Sequence, residues 1–296
     1  AEFPELQGIM GGHFALAQGF EKEVCQSISE HYLPSGLDSK VPKNLYSITL
    51  SLSDKLDTLV GFFGLNLIPT GSRDPYALRR NTISLVRLIV ENKIRIKLRS
   101  IINYSLTLYK EQGYEFDITK VLKELNNFIL DRLKNYSKEK DIRADIMESS
   151  ILSNDIDDIY NGYKKAEILN RNIKKEIGIN VVGIYKRSFN ILNSEIIKNK
   201  IEISNSVDTG LFKNDFEKNL YKKIQDLKKY FINSDKNNNF EESLKELFKF
   251  KQDVNSFFDN VKVNDENELI KKNRLELLNL LCKSFDNFFN FSKIES

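Results

Sequence analysis

Two aspartates three residues apart, Asp54 and Asp57, are the pair in this sequence best spaced for metal chemistry. On a helix this spacing puts both carboxylates on one face, where one of them would be the last ligand of a metal-dependent phosphohydrolase site. Such a site also needs imidazole ligands. The only histidines are His13 and His31, and no His-Asp doublet is present. We therefore expect no metal here and interpret the two aspartates as capping or packing residues.

A second segment, residues 69–80, combines a Thr-Gly-Ser turn with Asp74 and Pro75, which suit a helix N-cap and a first helical position. A turn before a helix N-terminus can hold phosphate through backbone N–H groups. Three arginines would add positive charge for an RNA backbone: Arg73, Arg79 and Arg80. The alternative is a structural corner whose arginines pair with local carboxylates. A P-loop is excluded, because the Gly-x4-Gly-Lys-Ser/Thr pattern is absent.

Positive charge is least compensated between residues 164 and 200, where nine Lys or Arg stand against three Glu. The window also carries aromatic and amide side chains, the types that stack unpaired bases and read base edges. Its candidate RNA-contacting residues are Lys186, Arg187 and Asn190, whereas Tyr185 and Phe189 suit a core equally well. Helical spacing puts the three candidates on one wide, solvent-facing side.

The distribution of prolines predicts the fold class. All five prolines lie in the first 75 residues of the 296. A long proline-free stretch with almost no period-2 alternation predicts a chain of helices, more than 60% of the protein, and little or no sheet. Apolar spacing predicts helices at about 44–63, 154–175, 180–200, 213–233, 240–260 and 265–291, and others that start at Asp74 and Asp117.

Cysteine usage and hydropathy bear on the compartment. Cys25 and Cys282 stand at opposite ends of the chain and form neither a disulfide framework nor a metal cluster, which fits a reducing cytoplasm. The longest apolar run, residues 60–68, is far shorter than the roughly 20 residues of a membrane helix. We expect a cytoplasmic protein with no membrane partner.

Four segments are more particular than the composition requires: EFPELQGIMG at 2–11, LSDKLDTLVG at 52–61, PTGSRDPYALRR at 69–80, and FFDNVKVN at 257–264 with NRLELL at 273–278. In this order they resemble the C-terminal part of the beta subunit of bacterial heterotetrameric glycyl-tRNA synthetase. The resemblance covers essentially the whole chain. It implies that the chain is the C-terminal portion of a longer subunit.

The resemblance implies an all-α layout in three parts: a degenerate HD-type helical domain at 1–115, a helical connecting region at 116–179 and a DALR-type anticodon-binding bundle at 180–296. Asp54 and Asp57 would be the remnant of the HD site. The tRNA-binding set would include Asn273 and Arg274 of the last segment, beside Lys186, Arg187, Asn190 and the three arginines of 69–80.

In this family, glycine activation with ATP and Mg belongs to the separate alpha subunit. The resemblance therefore implies no catalytic residue and no cofactor in this segment. It implies a subunit of a glycine–tRNA ligase, with two alpha and two beta subunits, that docks tRNA(Gly) for glycylation. Two alternatives stay open from the residues alone: an HD-type metal-dependent phosphohydrolase and a purely structural helical assembly module.

Overall fold

The computed structural model describes residues 3, 6–151, 157–199, 201–204, 206–234 and 239–295, without the side chains of 199 and 231–234. Helices account for 70% of this part of the chain, and it contains no strand. The all-α prediction is therefore confirmed. No helix within these residues is long and apolar enough to span a bilayer.

The described residues contain the following α-helices, numbered in chain order. They are α1 (Ile9–Ala17), α2 (Lys22–Glu30), α3 (Leu45–Gly64), α4 (Leu78–Glu91), α5 (Leu98–Glu111), α6 (Ile118–Glu139), α7 (Ala144–Ser149), α8 (Ile159–Asn172), α9 (Glu176–Asn199), α10 (Asp215–Ser234), α11 (Phe240–Phe248), α12 (Phe250–Asn260) and α13 (Glu268–Asp286).

Contacts divide the chain into two compact units. The first is Ala1–Asp141 with Asn154–Tyr163, and the second is Ile142–Ser153 with Lys164–Ser296. Helix α6 packs against α3 and α4 and so belongs to the first unit. The three-part division at 115 and 179, which concerns family domains, stays a prediction.

Helix α4 is the centre of the first unit. It packs against α3 and α6, and all of its residues from Ser84 to Val90 are buried. Arg87 lies inside this stretch, where it forms an ion pair with Glu91 (2.7 Å) and donates a hydrogen bond to the carbonyl of Gly36. A buried guanidinium is tolerated only when it is paired in this way.

The motif at 52–61 contains a buried lysine. Lys55 is 4% exposed, and its ammonium donates to the carbonyl of His31 (3.2 Å) and the hydroxyl of Ser51 (3.0 Å). Burial lowers the pKa of Lys55 to about 8, against the opposing effect of the Asp54 charge. The lysine thus ties the end of α2 to α3.

Two glycines on α3 let aromatic rings pack directly on the helix backbone. A Cβ added at Gly61 would lie 2.4 Å from the hydroxyl of Tyr109, and one at Gly64 would lie 2.3 Å from the ring of Phe116. Both distances are too short for a methyl group. The Tyr109 hydroxyl also donates to the backbone carbonyl of Asp57 (3.2 Å).

Helix α13 is the centre of the second unit. It packs against α9 and α10, and 12 of its 19 residues are buried. The C-terminal end of α13 joins an aromatic cluster whose members are at most 2% exposed: Tyr185, Phe250, Phe285, Phe289 and Phe291. Tyr185 is therefore a core residue and does not face solvent, where it could stack on an RNA base.

A buried ion pair joins the N-terminal halves of α10 and α13. Arg274 Nε donates to Glu217 Oε1 at 2.7 Å, and the Glu217 side chain is 0% exposed. The other carboxylate oxygen of Glu217 accepts from the backbone N–H groups of Lys213 (2.7 Å) and Asn214 (3.1 Å), which caps α10. Arg274 also donates to Asp265 (2.7 Å).

The carboxyl group of Asp286 lies beside the aromatic cluster. Its Oδ2 accepts a hydrogen bond from the Tyr185 hydroxyl (3.0 Å), while Oδ1 is buried and has no partner among the described residues. Burial raises the pKa of Asp286 to about 6, against the opposing effect of the Tyr185 hydrogen bond. Burial also raises the pKa of the Cys282 thiol to about 12.

Several predicted helices have different ends. The predicted helix 240–260 is two helices that part at Lys249, and 180–200 begins earlier, at Glu176. The predicted start at Asp117 is confirmed, because its carboxylate accepts from the backbone N–H of Lys120 (3.0 Å). The apolar spacing did not predict helices α1 and α5.

Replacement of Arg274 by Met tests the buried ion pair. The variant keeps the volume but leaves the Glu217 carboxylate buried without a counter-ion, so we expect a loss of about 3–5 kcal/mol in the free energy of unfolding. Chemical denaturation followed by circular dichroism measures it. Adding Glu217→Gln should restore part of the loss, and Lys272→Met, at an exposed neighbouring position, should change little. An Arg274→Met variant as stable as the parent would refute the role.

Replacement of Asp286 by Asn tests the raised pKa. In the folded chain this group holds its proton up to about pH 6, above its ordinary value of 3.8. Its stabilising contribution is therefore complete below pH 3.8 and is lost as the pH rises through 6. We expect Asp286→Asn to gain about 1–2 kcal/mol relative to the parent between pH 4 and 7, after allowance for partial solvent screening. A stability difference between Asp286→Asn and the parent that stays the same across this pH range would rule out the shift.

Candidate nucleic-acid interface

The outer face of α9 is a continuous exposed ridge. Residues three or four positions apart along the helix share this face, and its exposed residues include Ile179, Gly183, Arg187, Asn190 and Asn193. On the opposite side Ile184 and Leu192 are buried. Arg187 and Asn190 therefore face solvent together, while Lys186 is half-buried at the edge of the ridge.

Arg187 is supported by a ring that the sequence reasoning did not assign. Its guanidinium lies 4.2 Å from the centre of the Phe258 ring, which α12 supplies. Phe258 is half-buried, whereas its neighbour Phe257 is 0% exposed. Adjacent helical residues point about 100° apart, so the Phe258 ring leaves the helix in a different direction from the buried Phe257 ring. That doublet was the available signal for Phe258.

Part of the positive charge between 164 and 200 is compensated within the second unit. Lys164 and Arg171 both pair with Glu167, at 2.6 and 2.7 Å. Lys165 is 5% exposed and lies 5.1 Å from the ring centre of Phe288. The excess is thus carried by exposed cations that form no ion pair with a described residue: Lys174, Lys175, Arg187 and Lys198. Lys200 lies outside the described residues.

Asn273 and Arg274 do not belong to this surface, which corrects the predicted set. Asn273 is 2% exposed and Arg274 is 5% exposed. The Asn273 amide pairs with the backbone of Asp208, accepting from its N–H (2.8 Å) and donating to its carbonyl (2.9 Å). Arg274 is held by Glu217 and Asp265. Both side chains are buried and hold parts of the bundle together, so they do not form an exposed RNA-binding surface.

Residues 70–73 form the tight turn that the sequence predicted. Thr70 and Arg73 exchange two backbone hydrogen bonds (2.8 and 3.2 Å), and Gly71 has a φ of +49°. That left-handed conformation suits glycine. The Arg79 guanidinium donates to the Gly71 carbonyl at 2.6 Å.

The helix after this turn starts later than predicted. Helix α4 begins at Leu78, with Ala77 in a left-handed conformation (φ +53°), and Pro75 precedes the helix. Asp74 still performs the capping chemistry, since its carboxylate accepts from the backbone N–H groups of Leu78 (2.8 Å) and Arg79 (2.9 Å). These bonds occupy the groups that would have held a phosphate.

The three arginines of this corner therefore differ. Arg79 is half-buried and braces the turn through the Gly71 carbonyl, rather than through a local carboxylate as the structural-corner alternative had it. Arg73 and Arg80 are exposed and form no ion pair with a described residue, so they remain available to a ligand.

Asp54 and Asp57 are both exposed on α3. Among the described residues, no group of three or more His, Cys, Asp or Glu side chains is arranged to hold a metal ion. His31 Nδ1 instead donates a hydrogen bond to the carbonyl of Ile28 at 2.6 Å. The identification of the pair as a degenerate HD site stays a prediction.

Two family profiles match this sequence. One, described as glycyl-tRNA synthetase beta subunit, matches residues 1–152, and the other, described as DALR anticodon binding domain, matches residues 183–296. The second match contains Arg187, Asn190 and Phe258.

Several curated proteins are similar along almost the whole chain. The glycine–tRNA ligase beta subunit of Rickettsia typhi (strain ATCC VR-144 / Wilmington) is 34% identical over 293 residues. Those of Rickettsia africae (strain ESF-5) and Rickettsia peacockii (strain Rustic) are 35% identical over the same length. Each alignment covers 99% of this chain but 42% of the relative, so the chain spans less than half the length of these proteins.

Replacement of Asp74 by Ala tests the structural role of the corner. Loss of both hydrogen bonds at the start of α4 should cost about 1–2 kcal/mol of unfolding free energy, measured by denaturant titration. Arg73→Ala removes an exposed side chain and should change stability by less than about 0.5 kcal/mol. Equal effects of the two replacements would contradict this account of the corner.

Proposed function

The chain belongs to the glycyl-tRNA synthetase beta subunit family, and on that premise we propose that its second unit binds tRNA(Gly). The bound tRNA would be docked through its anticodon loop. A single observation carries the proposal. An exposed arginine, Arg187, stacks on Phe258 within the residues that match the anticodon-binding profile.

Each residue of the ridge has its own part in this proposal. Arg187 supplies a fixed positive charge for phosphate and a planar group on which an unpaired base can stack. Lys186, at the edge of the ridge, adds charge without a planar group. Asn190, one turn further, has an amide that both donates and accepts, which suits the reading of a base edge.

The ring beneath Arg187 keeps the guanidinium oriented. A cation above an aromatic face gains about 0.5–1 kcal/mol at exposed sites, enough to favour one orientation before RNA arrives. Binding then loses less side-chain entropy than it would with a free arginine. The nearby exposed lysines, Lys174, Lys175 and Lys198, extend the positive field for the RNA backbone.

We further propose that this chain acts within a glycine–tRNA ligase of two alpha and two beta subunits in the cytoplasm. The alpha subunit would activate glycine with ATP and Mg and charge the acceptor end. No residue of this chain is assigned to ATP, Mg or glycine. Its contribution is the position of the tRNA relative to the partner subunit, which affects rate by proximity rather than by covalent chemistry.

Replacement of Lys186 and Arg187 together by Ala tests the ridge. We expect weaker binding of tRNA(Gly) and of an unrelated tRNA alike, and a log–log salt dependence flatter by about one to two units, because two phosphate contacts are lost. Filter binding or fluorescence anisotropy across a salt series measures both quantities.

Lys218→Ala with Lys245→Ala is the charge-matched control, since each of these exposed lysines already pairs with a carboxylate three residues away. It should leave the slope nearly unchanged. Asn190→Ala should reduce the preference for tRNA(Gly) with little effect on the slope. An unaltered affinity and slope after the Lys186–Arg187 replacement would exclude this surface, and a chain with no salt-dependent RNA affinity would favour the structural module.

A further inference from the structure

The first unit contains a polar cavity of about 350 Å³ between its helices, next to Asp54 and Lys55 of the 52–61 motif. The volume of this cavity lies within the range of volumes found for small-molecule binding sites. Its wall is rich in hydrogen-bonding side chains, most of them from α3 and α4 and the loops that precede them. Its charged and aromatic members are Tyr32, Asp54, Lys55, Tyr76 and Arg80, and Asn81 is one of several uncharged polar members.

Two opposite charges in this wall form no ion pair with a described residue. Asp54 and Arg80 are both exposed and take part in no ion pair there. Lys55 adds a second positive charge just behind the surface, with its ammonium held by the carbonyl of His31 and the hydroxyl of Ser51. Asp54, Lys55 and Arg80 together carry one net positive charge. This charge favours an anionic ligand, and Asp54 favours a ligand that also has a hydrogen-bond donor.

Two aromatic rings stand at the cavity in fixed positions. Tyr76 is 50% exposed and packs on Phe62 with ring centres 4.4 Å apart. Tyr32 is 42% exposed and packs edge-on against His31 with ring centres 5.0 Å apart. Rings that are both exposed and braced offer flat surfaces for a planar ligand at little entropic cost.

We propose that this cavity binds a nucleotide, with its phosphate on Arg80, its base against the tyrosine rings and an exocyclic amino group of the base donating to Asp54. The guanidinium fork matches phosphate oxygens. A carboxylate accepts from base amino groups, as it does from cytosine N4. An amino acid zwitterion would use the two charges but leave the two rings without a purpose. The ligand is either a free mononucleotide or one unpaired nucleotide of an RNA strand.

This site is separate from the proposed tRNA surface, because it lies wholly in the first unit and contains none of the ridge residues. Its binding does not depend on the second unit being an RNA-binding module. The Lys186–Arg187 double variant should therefore bind a mononucleotide as the parent does, whatever its affinity for tRNA.

The experiment is a titration of the full chain with AMP, GMP, CMP and UMP, and separately with a short unstructured oligoribonucleotide, by calorimetry or by chemical-shift perturbation. We expect Arg80→Ala and Tyr76→Ala each to weaken binding at least tenfold, and Asp54→Asn to reduce the preference for bases with an amino group over uracil. Arg73→Ala is the matched control, an exposed arginine of the same corner that does not line the cavity. All four side chains are exposed, and unchanged unfolding midpoints would confirm that the variants are folded.

Saturable mononucleotide binding that responds to Arg80 and Tyr76 but not to Arg73 supports the site with a free nucleotide as ligand. The same response with the oligoribonucleotide alone supports the site with RNA as the source. The proposal is overturned if neither ligand binds, or if binding is indifferent to Arg80→Ala and Tyr76→Ala.

Discussion

The second unit depends on one buried guanidinium. Removing Arg274 from water costs several kcal/mol, a cost that only charged and dipolar partners can offset. The partners come from three places in the chain: Glu217 on α10, Asp265 before α13, and the carbonyl of Lys262 (2.8 Å). Because Glu217 also caps α10, one side chain fixes the start of two helices and the segment between α12 and α13. These polar contacts lie in the interior of the second unit, whereas the ridge of α9 faces solvent.

The first unit follows the same rule, that a buried charged or polar group needs a partner. Three sets of polar groups show it: Arg87 pairs with Glu91, Lys55 donates to the end of α2, and the first N–H groups of α4 donate to Asp74. The corner at residues 69–80 is therefore structural in its inner half. Its outer half is exposed, since Arg80 lines the cavity and forms no ion pair with a described residue. Structure and binding capacity occupy adjacent residues of one motif.

The sequence predicts what is local and misses what is distant. The absence of proline and the apolar spacing predict most helices, and carboxylates such as Asp117 correctly predict a cap. The predicted start of α4 was wrong because Ala77 adopts a left-handed conformation, which the residue preferences of alanine do not indicate. The break between α11 and α12 at Lys249 was not predicted, because no proline or glycine lies there. Arg274 was assigned to the surface because its main partner, Glu217, lies 57 residues away, a separation that no periodicity reveals.

The pairing of guanidinium groups has a consequence for mutational drift. Of 45 cationic residues only 11 are arginines, the bias expected when an AT-rich genome converts arginine codons to lysine codons wherever lysine suffices. The arginines that persist should then be those whose planar fork lysine cannot replace. Arg87, Arg143 and Arg274 satisfy that expectation through fixed pairings inside the protein. Arg80 and Arg187 form no ion pair with a described residue, so in the two proposals above a ligand phosphate takes the place that an internal carboxylate has at the other arginines.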